Sequence, residues 1–430
     1  MSHFAVFVLF LFIAPTLVVI GSSYSFIKFL RSPTPAKDLD DQSLPSAAVI
    51  MSVRGLDPSL YECVKSLLEQ DYPSYLLKIV VDSEEDAAWI GLSQLIKDFA
   101  SDTNPIFHAK SNAKVELVAL KTRYESCGLK CSALIQAVSQ LSPDLDVVAF
   151  VDSDVITHRT WLRELVSPLI DPNVGLTSGL PWYIPEEKNF GSRVRYLWNI
   201  YGLTGRYICR TPSGASMGIQ RHLLTHDKIL GIWQNVLSED VTASVAVQAE
   251  GLEVRFVQSL IMVNRESCSL SGCWNFVKRQ FFWTRLYSDE WNFIAAQAFF
   301  RAAALLSTAL LLPAAYLAQQ YNAILIVSFG LFFYFFSIGI CVFLIQLSVQ
   351  RWLISNGEKI FPYSILEFPK ILLSFIIAHL IVLGGTLCAF GMNSIEWRGI
   401  KYQIKRNSEV KMLNYSPYKG SGSASNVSIL

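Results

Sequence analysis

The chain has 430 residues, of which 52% are hydrophobic and 17% are charged, and its formal net charge is +1. Soluble domains usually carry about a quarter of charged residues, so this composition excludes an ordinary soluble protein throughout. The balanced charge gives no indication of the strongly basic surface that binds nucleic acid.

The apolar excess is concentrated in four blocks at 4–20, about 302–318, 323–348 and 371–391. Each block has nearly the length that crosses a bilayer as a helix. The sequence therefore predicts five regions, which are an N-terminal transmembrane anchor at 1–31, a cytosolic domain at 45–273, an amphipathic interfacial segment at 274–298, C-terminal transmembrane helices at 299–395, and a polar tail at 396–430 with a disordered end.

Basic residues follow the first apolar block, at Lys28, Arg31 and Lys37, and none precedes it. This pattern favours an uncleaved anchor over a signal peptide and places the N-terminus outside. Four spans from that start would leave "EWRGIKYQIK" outside as well, although its basic residues favour the inside. The sequence leaves open whether one C-terminal block is re-entrant or the spans pair differently.

Strand-like runs alternate with helical patterns between the first two apolar blocks. The strands are predicted at 47–53, 77–83, 115–120 and 147–151, each followed by apolar residues at helical spacing. This alternation predicts an α/β fold with a mostly parallel sheet flanked by helices. Ligands of such sheets bind at the carboxyl ends of the strands, where this chain has Arg54, Asp82 and the pair Asp152 and Asp154.

The pair Asp152 and Asp154 follows the apolar run "VVAFV". Alternation along a strand places both carboxylates on the same side. Two hard carboxylates suit Mg²⁺ or Mn²⁺ held together with substrate phosphates, and a solvated strand end is the alternative. Neither a GxGxxG nor a Walker sequence is present, so common dinucleotide and P-loop sites have no support.

Three downstream segments add candidates. "SGASMGI" (213–219) either lets backbone approach a ligand or forms a tight turn. Glu239 and Asp240 begin a predicted helix, where carboxylates also serve as caps. The basic and aromatic segment 275–291 is typical of an interfacial amphipathic helix.

Several short stretches occur together in a characteristic order: "RGLDPSL", "LEQDYP", "VVDSEEDAA", "CGLK", "FVDSDV", "SEDV", "RQFFWTR" and "EWRGIKY". In this order they resemble the inverting glycosyltransferases of the family 2 and family 21 type, which have a GT-A fold. More narrowly, the chain resembles the ceramide glucosyltransferase branch and its bacterial relatives. The resemblance extends from about residue 48 to 403.

The resemblance implies a role for each matching residue. It implies a metal and diphosphate site at Asp152 and Asp154, and a general base at Asp240. It implies that Glu239 and Trp283 form the mouth of the active site where the acceptor enters. It further implies a set of residues that contact the nucleotide sugar: Arg54, Asp82, Asp86, Lys130, Asp152, Arg279, Gln280 and Arg285.

The chain departs from the family's (Q/R)xxRW motif at one position. Phe282 stands where the motif has arginine, before Trp283. Arg285 is the expected source of the missing positive charge. The departure weakens a prediction of processive polymer synthesis, for which the full motif is expected.

The resemblance implies transfer of a hexose, glucose from UDP-glucose, to a lipid hydroxyl such as that of ceramide, with inversion to a β-glycoside. It implies a divalent metal, Mg²⁺ or Mn²⁺, and no nucleic acid. The membrane would be the plasma membrane of a bacterium or the Golgi or ER of a eukaryote. A glucosyl-diacylglycerol synthase and a cellulose-synthase-like polysaccharide synthase remain as alternatives. A non-enzymatic transporter would instead need polar residues inside the spans, and His379 and Lys370 are the main polar residues near the last block.

Overall fold

The computed structural model describes residues 1–32, 40–100, 112–184, 189–355, 358, 368–405 and 409–418. Seven strands form one mixed sheet in the order β3-β2-β1-β4-β6-β5-β7. The strands are β1 (Ala47–Val53), β2 (Tyr75–Val81), β3 (Ala113–Ala119), β4 (Val147–Val151), β5 (Val174–Tyr183), β6 (Ser216–Gln220) and β7 (Glu253–Asn264). The first four run parallel, and β6 pairs antiparallel with both β4 and β5.

The central strands are apolar because both faces of the sheet are covered. In β1, Ala48 and Ile50 enter one core, whereas Val49 and Met51 enter the core on the opposite face. A strand buried on both sides needs a continuous apolar run, which explains "AAVIMSV". The prediction of a mostly parallel α/β sheet flanked by helices is confirmed.

Eight helices accompany this sheet along the chain: α2 (Leu60–Leu68), α3 (Ala87–Ala100), α4 (Leu129–Ser139), α5 (Trp161–Val166), α6 (Phe190–Ile208), α7 (Ile229–Trp233), α8 (Glu239–Ala249) and α9 (Leu270–Tyr287). Sequence reasoning missed α6, and it took the segment of β6 for a loop. The segment predicted as interfacial at 274–298 divides between α9 and the first part of the next helix.

Four described helices are long and apolar enough to cross a membrane. They are α1 (Ser2–Leu30), α10 (Trp291–Leu317), α11 (Tyr321–Ser355) and α12 (Phe368–Gly391). A shared apolar cluster holds α1 against α10 and α11. These helices match the four apolar blocks of the sequence.

A small antiparallel sheet follows α12, where the sequence predicted a polar tail. It consists of β8 (Ser394–Trp397), β9 (Ile400–Ile404) and β10 (Val410–Asn414). In β9 the residues Ile400, Tyr402 and Ile404 are buried against the core below β1, while Lys401 and Gln403 face outward. This period-two burial is the signature of a half-buried strand. The predicted disordered end at 419–430 lies outside the described residues.

The strand order turns at β1 and β4, which lie side by side although α2 to α4 and two strands separate them in sequence. Chain connections leave these two strands in opposite directions, so a crevice opens beyond their carboxyl ends. Arg54 follows β1 and Asp152 follows β4. The fold therefore brings the strand-end residues together at one place.

Candidate active site

A cavity of about 230 Å³ lies beyond the carboxyl ends of β1 and β4. The sheet forms its floor, and α9 and the C-terminal sheet form two of its walls. The predicted site residues that line it are Arg54, Asp82, Lys130, Asp152, Asp154, Glu239, Asp240, Arg279, Gln280 and Trp283. The cavity thus collects residues from both ends of the chain.

Lys130 connects two carboxylates at the centre of this cavity. Its Nζ lies 2.5 Å from Asp152 Oδ1 and 2.5 Å from Glu239 Oε1. Burial alone would lower the pKa of Lys130, but the charges of Asp152 and Glu239 outweigh burial and raise it. Burial raises the pKa of Glu239 to about 7, against the opposing effect of Lys130. The lysine therefore remains a fixed cation beside a carboxylate that is costly to ionise.

Gly214 makes room for this pair. A Cβ at this position would overlap the Glu239 carboxylate and would lie 2.9 Å from Lys130 Nζ. The segment 213–215 lines the cavity just before β6 begins at Ser216. The Ser216 amide donates to the Ser213 carbonyl at 3.0 Å, so the tight turn predicted for "SGASMGI" is present at its start, and the approach of its backbone to a ligand stays a prediction.

Asp152 and Asp154 both line the cavity, and the hydroxyl of the intervening Ser153 donates to Asp57 Oδ2 over 2.8 Å. Among the described residues Asp154 has no hydrogen bond. Burial, followed by the charge of Asp152, raises the pKa of Asp154 to about 6. A carboxylate left open beside another carboxylate fits a hard divalent cation, which takes oxygen ligands.

The protein supplies only part of such a coordination shell. Within the part of the chain that the structure describes, no group of three or more His, Cys, Asp or Glu side chains is placed to hold a metal ion. Mg²⁺ in sites of this kind takes one or two carboxylates and completes its shell with water and substrate phosphate. The pair at 152 and 154 agrees with that type of site.

Asp240 is held in a fixed orientation at the start of α8. Its Oδ1 accepts from Ser238 Oγ at 2.5 Å and from the Val241 amide at 2.8 Å, and its Oδ2 accepts from the Gly214 amide at 3.2 Å. The side chain is half-buried and reaches the cavity. These donors stabilise the carboxylate while leaving Oδ2 with only one weak partner.

One face of α9 forms the opposite wall. The Arg279 guanidinium lies 5.6 Å from the centre of the Trp397 ring and 5.7 Å from that of Phe276, and burial lowers its pKa to about 10. Gln280 Oε1 accepts from Arg206 at 2.9 Å. Trp283 packs edge to face against Trp397. The wall therefore presents a cation among aromatic rings.

Two predicted site residues lie away from the cavity. The Asp86 carboxylate accepts from the amides of Gly55 and Ala88, both at 2.9 Å, and burial raises its pKa. It fixes the turn after β1 and the first turn of α3. Arg285 donates to the carbonyls of Phe390 at 2.9 Å and Met392 at 2.7 Å and so binds the end of α12. The partners of both side chains are structural and hold them outside the cavity.

Arg398 is a cavity residue that sequence reasoning did not select. It donates to the Arg54 carbonyl at 2.8 Å and pairs with the buried Asp57 at 3.2 Å. Its charge also acts on the nearby Asp154. The stretch "EWRGIKY" that carries it was part of the family resemblance and was the available signal. Tyr402 lines the cavity too and belongs to the same stretch, whereas Arg206 and Glu266 line it without such a signal.

The Asp82 carboxylate contacts three side chains from different parts of the chain. Arg54 forms an ion pair with it, Arg123 Nε lies 3.3 Å from Oδ1, and the Tyr415 hydroxyl donates to Oδ1 at 3.0 Å. The Arg123 guanidinium also stacks 4.4 Å from the centre of the Tyr415 ring. A residue after β10 thus helps to fix the carboxylate that follows β2.

Comparisons with known proteins identify the family to which the chain is similar over most of its length. The family model of glycosyl transferase family 21 matches residues 12–410. A ceramide glucosyltransferase of Gibberella zeae is 34% identical over 165 residues, which are 37% of this chain and 30% of that protein. An N-acetylglucosaminyltransferase of Bradyrhizobium elkanii is 33% identical over 137 residues, 32% of this chain and 66% of that protein. The chain thus spans less than two thirds of these relatives.

A solved structure overlaps a larger part of the chain. It is a mannosyltransferase of Pyrobaculum calidifontis in complex with GDP-mannose and Mn²⁺. The overlap covers 79% of this chain and 98% of the other, with a TM-score of 0.46 and 17% identity.

Proposed function

Because the chain belongs to glycosyl transferase family 21, a family of hexose-transferring enzymes, we propose that it transfers glucose from UDP-glucose to the hydroxyl of a membrane lipid such as ceramide. The observation that carries this proposal is the position of Asp240. Its carboxylate shares one cavity with the pair Asp152 and Asp154, and α12, which is long and apolar enough to cross a bilayer, packs on the helix α9 that forms one wall of that cavity.

Departure of the nucleoside diphosphate adds negative charge that the site must stabilise. Each preorganised cation or hydrogen-bond donor at that point stabilises the transition state by about 3 kcal/mol. Arg279, Arg398 and Lys130 line the cavity and supply such positive charge. A divalent cation held by Asp152 and Asp154 would, when bound, add Lewis-acid stabilisation of the diphosphate.

The acceptor hydroxyl has a pKa far above 7, so its attack requires a base that takes the proton. We assign this role to Asp240, whose Oδ2 has the Gly214 amide as its one partner among the described residues. Lys130 and the hard-to-ionise Glu239 adjoin the same glycine. A single displacement with one base attacks opposite to the leaving group, so an α-linked donor would give a β-glycoside.

The surroundings of α9 support a lipid acceptor. The ring of Trp274 adjoins Gly384 of α12, and that of Phe281 adjoins Gly385. The opposite face of α9 carries Arg279, Gln280 and Trp283 into the cavity. Amphipathic helices with basic and aromatic side chains lie at the level of lipid headgroups, where a lipid hydroxyl is found.

The positions where the last two helices end support a proposal for the membrane topology. Beyond α11, Glu358 pairs with Arg265 at 2.6 Å, next to the end of β7, and beyond α12 the Met392 carbonyl accepts from Arg285. Both ends therefore lie on the side of the sugar-transfer domain. We propose that α1, α10 and α11 cross the bilayer and that α12 is re-entrant.

This arrangement resolves the conflict in the sequence. With the N-terminus outside, three crossings leave both the domain and "EWRGIKYQIK" in the cytosol, as the basic residues favour. We therefore propose an integral membrane enzyme with a cytosolic catalytic domain. The host membrane would be the plasma membrane of a bacterium or the Golgi or ER of a eukaryote.

Polysaccharide synthesis is less well supported. Phe282 is completely buried in the core below β1, and Arg285 binds the end of α12 instead of replacing the arginine of the motif. The cavity side of α9 thus lacks one cation that the polymerising enzymes of the resembled family have. Diacylglycerol remains the alternative acceptor, as a second membrane lipid with a free hydroxyl.

Asp240→Asn tests the proposed chemistry in the intact protein in nanodiscs. The variant should bind UDP with the affinity of the parent but transfer glucose to ceramide about 10²- to 10⁴-fold more slowly, because only the base is lost. Asp144→Asn, an exposed carboxylate outside the cavity, is the control. Unchanged turnover in Asp240→Asn would remove Asp240 as the base.

A further inference from the structure

A second cavity lies among α6, α10, α11 and α12, and the proposed chemistry does not use it. It has a volume of about 50 Å³ and is lined mainly by aliphatic and aromatic side chains. We call it the bundle cavity and define it by Trp198, Tyr201, Ala302, Ile338, Ala378 and Leu380. Three of its four helices are among those long and apolar enough to enter a membrane.

A pair of aromatic rings connects the walls of the two cavities. Phe276 lines the sugar-transfer cavity, Trp198 lines the bundle cavity, and their rings meet edge to face with centres 5.4 Å apart. Phe276 is also one of the rings beside Arg279. The wall of the bundle cavity therefore contacts the wall of the sugar-transfer cavity through this aromatic pair.

The bundle cavity also opens to the outer surface of the helices. Leu380 contributes to its wall and is nevertheless 53% exposed. The neighbouring Leu383 lines it too and is half-buried. In a bilayer this side of α12 would face lipid chains, so a hydrocarbon chain could enter from the side.

The polar groups of the cavity are few and have partners. Arg301 donates to the Tyr201 hydroxyl at 2.7 Å and to the Gln297 carbonyl at 2.9 Å. His379 Nδ1 lies 2.8 Å from the Phe375 carbonyl. Ionisable side chains at such positions are rare and mark functional sites in membrane proteins. Here they form one polar end of a cavity whose remaining surface suits hydrocarbon.

We propose that the bundle cavity holds one hydrocarbon chain of the acceptor lipid, and that the Trp198–Phe276 pair separates this chain from the sugar-transfer cavity. The proposal rests on the proposed function and names the lipid subsite of the same reaction. The chain enters beside Leu380, and the lipid hydroxyl reaches Asp240 past Phe276. The volume of the cavity fits a part of one chain, so the acceptor's other chain stays in the bilayer.

Two adjacent alanines of α10 make a matched test. Ala302 lines the bundle cavity, whereas Ala303 is exposed on the outside of the same helix and does not line it. In the full-length protein in nanodiscs, Ala302→Phe should raise the KM for ceramide by about tenfold or more, because overfilling a packed site costs about 1–3 kcal/mol. The KM for UDP-glucose should not change, and Ala303→Phe should leave both values as in the parent.

A photolabelling experiment gives a readout that needs no turnover. Ceramides with a diazirine in either chain are irradiated with each variant, and labelled peptides are identified by mass spectrometry. The parent and Ala303→Phe should be labelled within 298–305 and 375–383, and Ala302→Phe should lose this label. Equal labelling in both variants, or adducts only on exposed residues, would overturn the proposal.

The outcomes separate the two levels of inference. If the parent transfers no sugar to any lipid but its label is lost in Ala302→Phe, the proposed function fails and the hydrocarbon site stands. If transfer to ceramide is equally efficient in both variants, the lipid subsite fails and the proposed function stands. The UDP affinity and the melting temperature of Ala302→Phe show whether this variant folds. If it does not, Ala378→Leu, which fills the cavity from α12, replaces it.

Discussion

The Tyr415 hydroxyl donates a hydrogen bond to Asp82, which lies 333 positions earlier in the chain. The contact joins the segment after the C-terminal sheet to the carboxyl end of β2. Arg54 strengthens this contact because it pairs with Asp82 and also donates to the Ser416 carbonyl at 2.8 Å. The last described residues therefore hold two side chains that line the cavity, Asp82 and Arg54.

Tyr415→Phe should weaken UDP binding. The substitution keeps the ring beside Arg123 but removes a hydrogen bond to a carboxylate, a type of bond worth about 1.5–3 kcal/mol when buried. Tyr415 is only half-buried, so we expect a smaller effect, a rise in the Kd for UDP of about three- to tenfold. Calorimetric titration of the purified protein measures this value.

Tyr124→Phe is the control for that measurement, since Tyr124 is also half-buried, lies next to Arg123 in sequence, and does not contact Asp82 through its hydroxyl. Equal affinities for the parent, Tyr415→Phe and the control would show that the C-terminal segment has no part in nucleotide binding.

Two arginines that both lie near α9 should behave differently on substitution. Arg398 faces the cavity, so Arg398→Gln should lower kcat/KM for sugar transfer by about 10²-fold through loss of charge stabilisation. Arg285 binds carbonyls at the end of α12, so Arg285→Gln should lower the melting temperature while the Kd for UDP stays the same. Transfer kinetics and thermal denaturation of both variants measure the contrast. A larger loss of transfer in Arg285→Gln would restore this residue to the catalytic site.

Gly214→Ala should disturb the pair Lys130 and Glu239 without removing a charge. The added methyl group would overlap Glu239, so the carboxylate must move from Lys130. We expect a loss of transfer activity of about tenfold or more, since misplacement by about 1 Å costs up to about 10²-fold. Gly205→Ala, at a position with open space around it, is the matched control. Full activity in Gly214→Ala would show that the geometry of this pair is not needed.

The raised pKa of Glu239 predicts a pH dependence of stability. Its pKa rises from 4.5 to about 7 in the folded protein, mainly through burial. Between these values the folded protein holds a proton that the unfolded chain releases, so the free energy of unfolding falls as pH rises through this window. The fall attributable to this group is at most about 3 kcal/mol.

Glu239→Gln removes this titration. Melting temperatures between pH 4.5 and 8 should therefore decline less steeply with pH in Glu239→Gln than in the parent, so that the difference between parent and variant is most favourable to the parent at low pH. Parallel profiles would contradict the raised pKa of this carboxylate.

The sequence was most informative where local patterns decide the structure. The apolar runs of β1, β2 and β4 are strands because both faces of a parallel sheet are buried, and Asp152 and Asp154 follow such a run directly. The four apolar helices could be predicted because a bilayer and a protein core both favour long apolar segments.

The sequence did not predict the positions of residues that depend on partners far away in the chain. Arg398 enters the cavity because Asp57, 341 positions away, and the Arg54 carbonyl hold it there. Helix α6 mixes buried Arg195, which pairs with Glu266 at 3.2 Å, with apolar residues, so its periodicity was obscured. Asp86 has the residue type of a ligand-binding carboxylate, and only the two amides that it caps reveal a structural role.

Sugar transfer by the full-length protein in nanodiscs tests the central claim most directly. UDP-[¹⁴C]glucose is supplied with ceramide, with diacylglycerol or with no added lipid, each with and without Mn²⁺, to the parent and to Asp154→Ala. The account predicts a labelled monoglucosyl ceramide that requires Mn²⁺ or Mg²⁺ and disappears in Asp154→Ala. Label in a long lipid-free polymer, or a product that Asp154→Ala forms at the rate of the parent, would contradict it.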